Sequence, residues 1–199
     1  MTLEIGSSSK TPAGMNRTEI RLAGEGGQGM ILAGIILAEA ASIYGGRNAV
    51  QTQSYGPEAR GGASKSEVVI SDGEIDYPKA EHLDLQLALT QEAVDKYHKD
   101  LKPGGWLLID SDAVARVPQG DWRVVSVPFV RTAREKLGKA IVANIVALGV
   151  IVRLSKAVSE RAAEEAILAR VPRGTEDLNQ SAYRLGLGLA SEWLKAQAG

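Results

Sequence analysis

Residues 18–41 read TEIRLA, then GEGGQG, then MILAGIILAEAA, and few folds accommodate that succession. EIRLAG (19–24) is short and apolar enough for a buried strand, whereas Gly29 to Tyr44 is long enough only for a helix. That helix is apolar nearly all round, so it must pack on a sheet and be covered again by something else. Gly45 and Gly46 stand where a helix prefers to stop. The turn between the two places glycine at 24, 26 and 29, the pattern G-x-G-x-x-G. Two readings of it stay open. It can cradle a nucleotide phosphate against the free N–H groups of a helix start. It can equally be a tight turn that brings strand and helix into close packing.

The rest of the chain continues the alternation. Strands are predicted over 48–54, 64–71, 83–90, 106–111 and 122–128, with a mostly polar helix over 91–100. After Pro128 the pattern becomes helical: 132–155, then 159–171 opened by a Ser159 N-cap, then 175–197, weakened by Gly186 and Gly188. The expected fold is α/β: a Rossmann-like, mostly parallel sheet with helices on both faces and a helical C-terminal part. No helix separates 48–54 from 64–71, so one hairpin or antiparallel strand is expected at the sheet edge. Residues 18–199 read as a single domain. Residues 1–17, rich in Ser, Gly and Pro, read as a flexible leader.

Bulk composition removes several classes of function. A net charge of −1 gives no reason to expect nucleic acid or an anionic membrane as partner. No apolar stretch reads as a membrane span, and cytoplasmic is the default location. The sequence has no cysteine, which excludes disulfides and cysteine-ligated iron–sulfur clusters. His82 and His98 are its two histidines and no carboxylate cluster accompanies them, so no metal site is expected. No catalytic residue can be named.

A stored NAD would need an acidic residue at the end of the second strand to hold the ribose. Gln51-Thr52-Gln53-Ser54 supplies none, and the next carboxylate is Glu58. The loop QSYGPEARGG (53–62) follows the carboxyl end of that strand, the edge where ligands of open α/β sheets bind. Tyr55, Glu58 and Arg60 are therefore expected near the glycine turn. Arg60 is suited to clamp a carboxylate or phosphate, or else it only shapes its own loop through Glu58 or the backbone.

The turn GEGGQG, the loop SYGPEARGGASKSEVVIS, the later IDYP and the late GKAIVANIVALG occur together in this order. Over about residues 18–190 the chain resembles the gamma subunit of the 2-oxoacid:ferredoxin oxidoreductases. SYGPEARGG with VVISDGEIDYP is most similar to the 2-oxoglutarate branch, then to the pyruvate and ketoisovalerate branches. The resemblance implies alpha and beta partner subunits, and in some complexes delta. Together they decarboxylate a 2-oxoacid, hand the acyl group to coenzyme A and pass electrons to ferredoxin. Thiamine diphosphate, Mg²⁺ and the iron–sulfur clusters are then expected on partner chains, with no cofactor held stably by this one. The matching positions are Gly24, Gly26, Gly27, Gln28 and Gly29 in the turn, and Tyr55, Gly56, Glu58, Arg60, Gly61 and Gly62 in the loop. They are expected to face coenzyme A or a partner subunit. Asn144 and Asn179 lie in similar segments, and the plainer reading of each is a capping or helix-face amide.

On this reading the isolated chain is inactive, and the helix of Ile31–Ile43 and the apolar C-terminal face expose patches for a partner. Whether it forms a homodimer when alone stays open. The alternatives are a freestanding NAD(P)- or nucleotide-dependent oxidoreductase and a nucleotide sensor. Neither the ribose-binding carboxylate nor an acid or base beside the turn is evident for them.

Overall fold

The computed structural model describes residues 16–55 and 63–198. The first strand, β1 (Arg17–Glu25), turns through the glycines into helix α1 (Met30–Ser42). Strands β2 (Asn48–Tyr55) and β3 (Ala63–Ser71) follow, then β4 (Leu83–Ala88), α2 (Gln91–Tyr97), β5 (Leu101–Asp110) and β6 (Trp122–Val127). Four helices complete the chain: α3 (Phe129–Leu137), α4 (Ala143–Ser155), α5 (Glu160–Arg170) and α6 (Glu176–Ala198). The strands form one sheet in the order β2-β3-β1-β4-β5-β6. β1, β4, β5 and β6 run parallel, and β3 is antiparallel to both β1 and β2. The hairpin expected at the edge is present, with β2 outermost and the antiparallel strand β3 one place further in.

Alternation along each strand decides what covers each face. Ile20 and Leu22 of β1, Val68 and Ile70 of β3 and Leu85 and Leu87 of β4 join the core that contains α1, α3, α4, α5 and α6. Each such fully buried Leu or Ile contributes roughly 1.5–3 kcal/mol. The opposite face holds Ala23, Val69, Leu107 and Ile109 against α2, whose Thr90 cap accepts the Ala93 N–H. Among the described residues the layering is lopsided, with five α-helices on one side and one on the other. On the thin side β1 and β3 place charges inward. Arg21 is buried between Glu67 and Asp100, donates to the Ala80 carbonyl and lies 4.9 Å from the Tyr97 ring centroid.

The continuous helix expected over 132–155 is two helices. Gly138, in the left-handed region at φ 72°, caps α3, and one 3-10 turn precedes α4. The strand expected over 106–111 begins earlier, because Leu101 already pairs with Leu83 and the Pro103-Gly104-Gly105 segment is absorbed as a register shift. Gly186 does not interrupt α6, which runs unbroken from Glu176 to Ala198. A Cβ on Gly186 would meet the Val146 carbonyl, and one on Gly149 would meet the Tyr183 carbonyl, so the two glycines let α4 and α6 cross in backbone contact. Ser159 caps α5 as expected, accepting the Ala162 N–H at 3.1 Å.

Candidate functional site

The carboxyl ends of the parallel strands gather the glycine turn, the start of α4 and the ends of the β2–β3 hairpin. β1 ends at Gly24 and Glu25, and the turn closes on itself. The Gln28 side-chain oxygen accepts the Glu25 N–H at 2.7 Å, and the Gln28 N–H donates to the Glu25 carbonyl at 3.2 Å. Gly24 leaves room for that amide, since a Cβ there would overlap the Gln28 oxygen. Gly27 and Gly29 have φ of 93° and 74°, the left-handed region that side chains disfavour. A Cβ on Gly29 would also strike the side chain of Asn144. Gly26 is exposed.

Asn144 is the residue that the sequence pattern undervalued. It is buried at the start of α4, donates to the Gly29 carbonyl at 3.2 Å and accepts the Ile145 N–H at 3.0 Å. It ties two helix starts together across 115 positions of chain. The Gly138-Lys139 stop signals the break between α3 and α4, but not the contact with Gly29. Asn179 keeps the plainer role: its amide donates within the first turn of α6 to Thr175.

Tyr55 pairs with Ser64, which in turn pairs with Gly24. It therefore stands two strands from the turn, roughly 10 Å away at the usual strand spacing. Gly56, Glu58, Arg60, Gly61 and Gly62 lie outside the described residues. The register of Tyr55 and Ala63 places both ends of their loop on the glycine-turn edge. Tyr55 is 68% exposed and Ile141, just before α4, is 77% exposed. Other large apolar exposures include Ile43 beyond the end of α1, Leu168 and Leu194. α1 itself is covered by α5, with Ile31 and Ile35 only partly buried.

The chemistry available at this edge is narrow. Asp110, at the end of β5, is buried, but its oxygens accept the Asp112 and Val130 N–H groups, so it shapes the start of α3. The depression beside Gly24, Ser64, Thr90 and Lys96 has no room for even a water-sized body. A dinucleotide reading meets a further obstacle in the topology. β3 is inserted between β1 and β2, so the strand that would carry a ribose-binding carboxylate is one strand further from the turn than that mode of binding requires. Among the described residues no group of three or more His, Asp or Glu side chains gathers as for a metal ion. No helix there is long and apolar enough to cross a membrane.

Comparison with known proteins decides the family. The description "Pyruvate ferredoxin/flavodoxin oxidoreductase" matches residues 19–189. The chain belongs to that family. Within this oxidoreductase family, 2-oxoglutarate synthase subunit KorC of Methanocaldococcus jannaschii is 53% identical over 178 residues, covering 88% of this chain and 95% of the relative. The gamma subunit of a keto/oxoacid ferredoxin oxidoreductase from Geobacter sulfurreducens has a solved structure similar to this one. Its TM-score is 0.82 at 55% identity, covering 89% of this chain and 98% of that one. A 2-oxoglutarate:ferredoxin oxidoreductase from Magnetococcus marinus, solved with 2-oxoglutarate, coenzyme A and succinyl-CoA bound, shares the fold. There the TM-score is 0.78 at 23% identity, covering 88% of this chain and 31% of that one. The oxidoreductase family thus contains this fold both as a separate subunit and as part of a longer chain.

Proposed function

We propose that the chain is the gamma subunit of a 2-oxoglutarate:ferredoxin oxidoreductase, one component of an assembly that converts a 2-oxoacid and coenzyme A to an acyl-CoA with ferredoxin as electron acceptor. The observation that carries this reading is the 53% identity to a 2-oxoglutarate synthase subunit over 95% of that subunit's length. Thiamine diphosphate, when bound in the assembly, supplies the carbanion chemistry of decarboxylation, and that group with its Mg²⁺ is assigned to alpha and beta. The donor set of this chain offers little to a metal or cluster: the sequence has no cysteine, the buried Asp110 carboxylate accepts two backbone N–H groups, and no metal-sized group of His, Asp or Glu gathers among the described residues.

Its own contribution is a rigid edge. The glycine turn, clamped by Gln28 and Asn144, presents a surface flanked by exposed Tyr55 and Ile141, and the depression beside Gly24 and Ser64 is too small for a water. Such a surface suits packing against alpha or beta, with Arg60 in the adjoining loop as the cation toward an acidic partner group or coenzyme A. Reconstitution tests this. Alpha, beta and delta chains with this subunit should reduce ferredoxin in a 2-oxoglutarate- and coenzyme A-dependent way, faster than with pyruvate or 2-oxoisovalerate. Omission of this chain should abolish the activity, and Arg60→Ala should lower assembly or the response to coenzyme A. Full activity without this chain, or turnover of an oxoacid or nicotinamide by this chain alone, overturns the reading.

A further inference from the structure

At the opposite edge, where the parallel strands begin, a cleft of about 540 Å³ opens between the starts of β1, β4, β5 and β6 and the end of α4. Its size is that of a small-molecule site. Its lining carries six cations, Arg17, Arg47, Lys102, Arg123, Arg153 and Lys156, in a chain whose net charge is −1. Four of them have carboxylate partners: Arg17 with Glu19, Arg47 with Asp72, Lys102 with Asp84, and Arg153 with Glu160. Arg123 and Lys156 have none among the described residues, so the cleft keeps a positive excess.

Both of these residues are held in ways that packing alone does not require. The Arg123 guanidinium lies 3.7 Å from the Trp106 ring centroid, and its Nε donates to the Gly104 carbonyl at 2.9 Å. A guanidinium fixed in this way keeps two terminal nitrogens for a forked contact with an anion. Lys156 is the one non-glycine residue with positive φ among the described residues, at φ 53° and ψ 23°. It caps α4, where a cation is welcome near the helix carboxyl end. Arg153 already serves the last turn, however, and glycine or asparagine adopts this backbone with less strain. A lysine kept in a strained position beside a cationic cleft points to a demand for its charge.

We propose that this cleft is a second ligand site, for a small polyanion bearing phosphate groups, with Arg123 and Lys156 as its clamp. The proposal does not depend on the gamma-subunit assignment, since it concerns the edge away from the glycine turn. Guanidinium and ammonium together match a multi-oxygen phosphate anion, and the volume admits more than a single phosphate.

Inorganic diphosphate titrated into the full chain at low ionic strength tests the site. Calorimetry should show one saturable event, accompanied by a change in tryptophan fluorescence because Trp106 lies beneath Arg123. Arg123→Gln and Lys156→Asn should each weaken binding about tenfold, the loss of one charged hydrogen bond. Lys139→Gln, beside the start of α4 on the opposite edge, should bind as the unaltered chain does. Lys156→Asn leaves the core untouched and relieves the backbone, so its loss of affinity should come without loss of thermal stability. Absence of saturation, unaltered affinity in either clamp variant, or an equal loss in Lys139→Gln overturns the proposal.

Discussion

Along the carboxyl edge of the parallel strands two neutral side chains, Gln28 and Asn144, close the glycine turn onto α4. Along the amino edge the connections are ionic: Arg47 to Asp72, Lys102 to Asp84 and Arg153 to Glu160 surround an open cleft. Neutral amide contacts are short-ranged and nearly indifferent to salt and pH, so they keep the turn in one shape. Ion pairs near water contribute little stability each but create a field. The fold thus has one edge closed by neutral amides and another ringed by charged side chains. The usual ligand rule for open α/β sheets, which looks to the carboxyl edge, addresses only the first.

Substitutions at the carboxyl edge should have the largest effects. Gly29→Val forces a β-branched residue into the left-handed region and against Asn144, and should destabilise by about 3 kcal/mol or more in urea unfolding. Near-neutral behaviour would show that the turn can open, and the contrast between the edges would fail. Asn144→Ala removes a donor to Gly29 and an acceptor for Ile145, and should lower stability by about 2 kcal/mol. Hydrogen exchange at Glu25 and Gln28 should quicken in that variant while amides of β6 keep their protection.

Titration distinguishes the edges differently. Tyr183 is buried, its hydroxyl donates to the Glu160 carbonyl at 3.0 Å, and its phenol pKa is raised, by burial first and then by the Glu160 and Glu164 carboxylates. The folded state therefore favours the protonated phenol. That contribution is fully present below the ordinary phenol value of 10.0 and is lost as pH rises past it. Tyr183→Phe should cost about 1 kcal/mol at neutral pH and give a flatter stability profile above pH 10, read from thermal melts across alkaline buffers. The smallest effect has the opposite sign: Lys156→Asn should raise stability by about 0.5 kcal/mol through relief of the left-handed backbone. A fall instead would assign the lysine to helix capping.

Much of the fold could be read directly from residue order because its signals are local. The apolar run EIRLAG, the all-apolar α1 and the strand alternation of SKSEVVIS carry their periodicity in consecutive residues. The candidate edge was legible in part. GEGGQG and Tyr55 do lie on the same edge, two strands apart, but nothing near Asn144 in the chain announces a contact with Gly29. Gly138 was the available clue to the helix break, and the helical spacing on either side of it obscured the stop. Gly186 misled in the other direction, since a glycine that lets two helices touch looks, in one dimension, like a weak point. The cations of the cleft are scattered from Arg17 to Lys156, and no window of sequence contains enough of them to form a pattern.

Sequence by itself determined the alternation of strands and helices, the absence of cysteine chemistry and the likeness to one oxidoreductase family. These depend on composition, periodicity and short ordered motifs, which are properties of neighbours in the chain. Tertiary structure alone decided that β3 is inserted between β1 and β2, that Asn144 clamps the turn, and that Arg123 and Lys156 have no carboxylate partner among the described residues. Each of those outcomes depends on which distant groups meet once the apolar faces are buried. Burial is non-directional, so the chain must fold before its polar groups find, or lack, their partners.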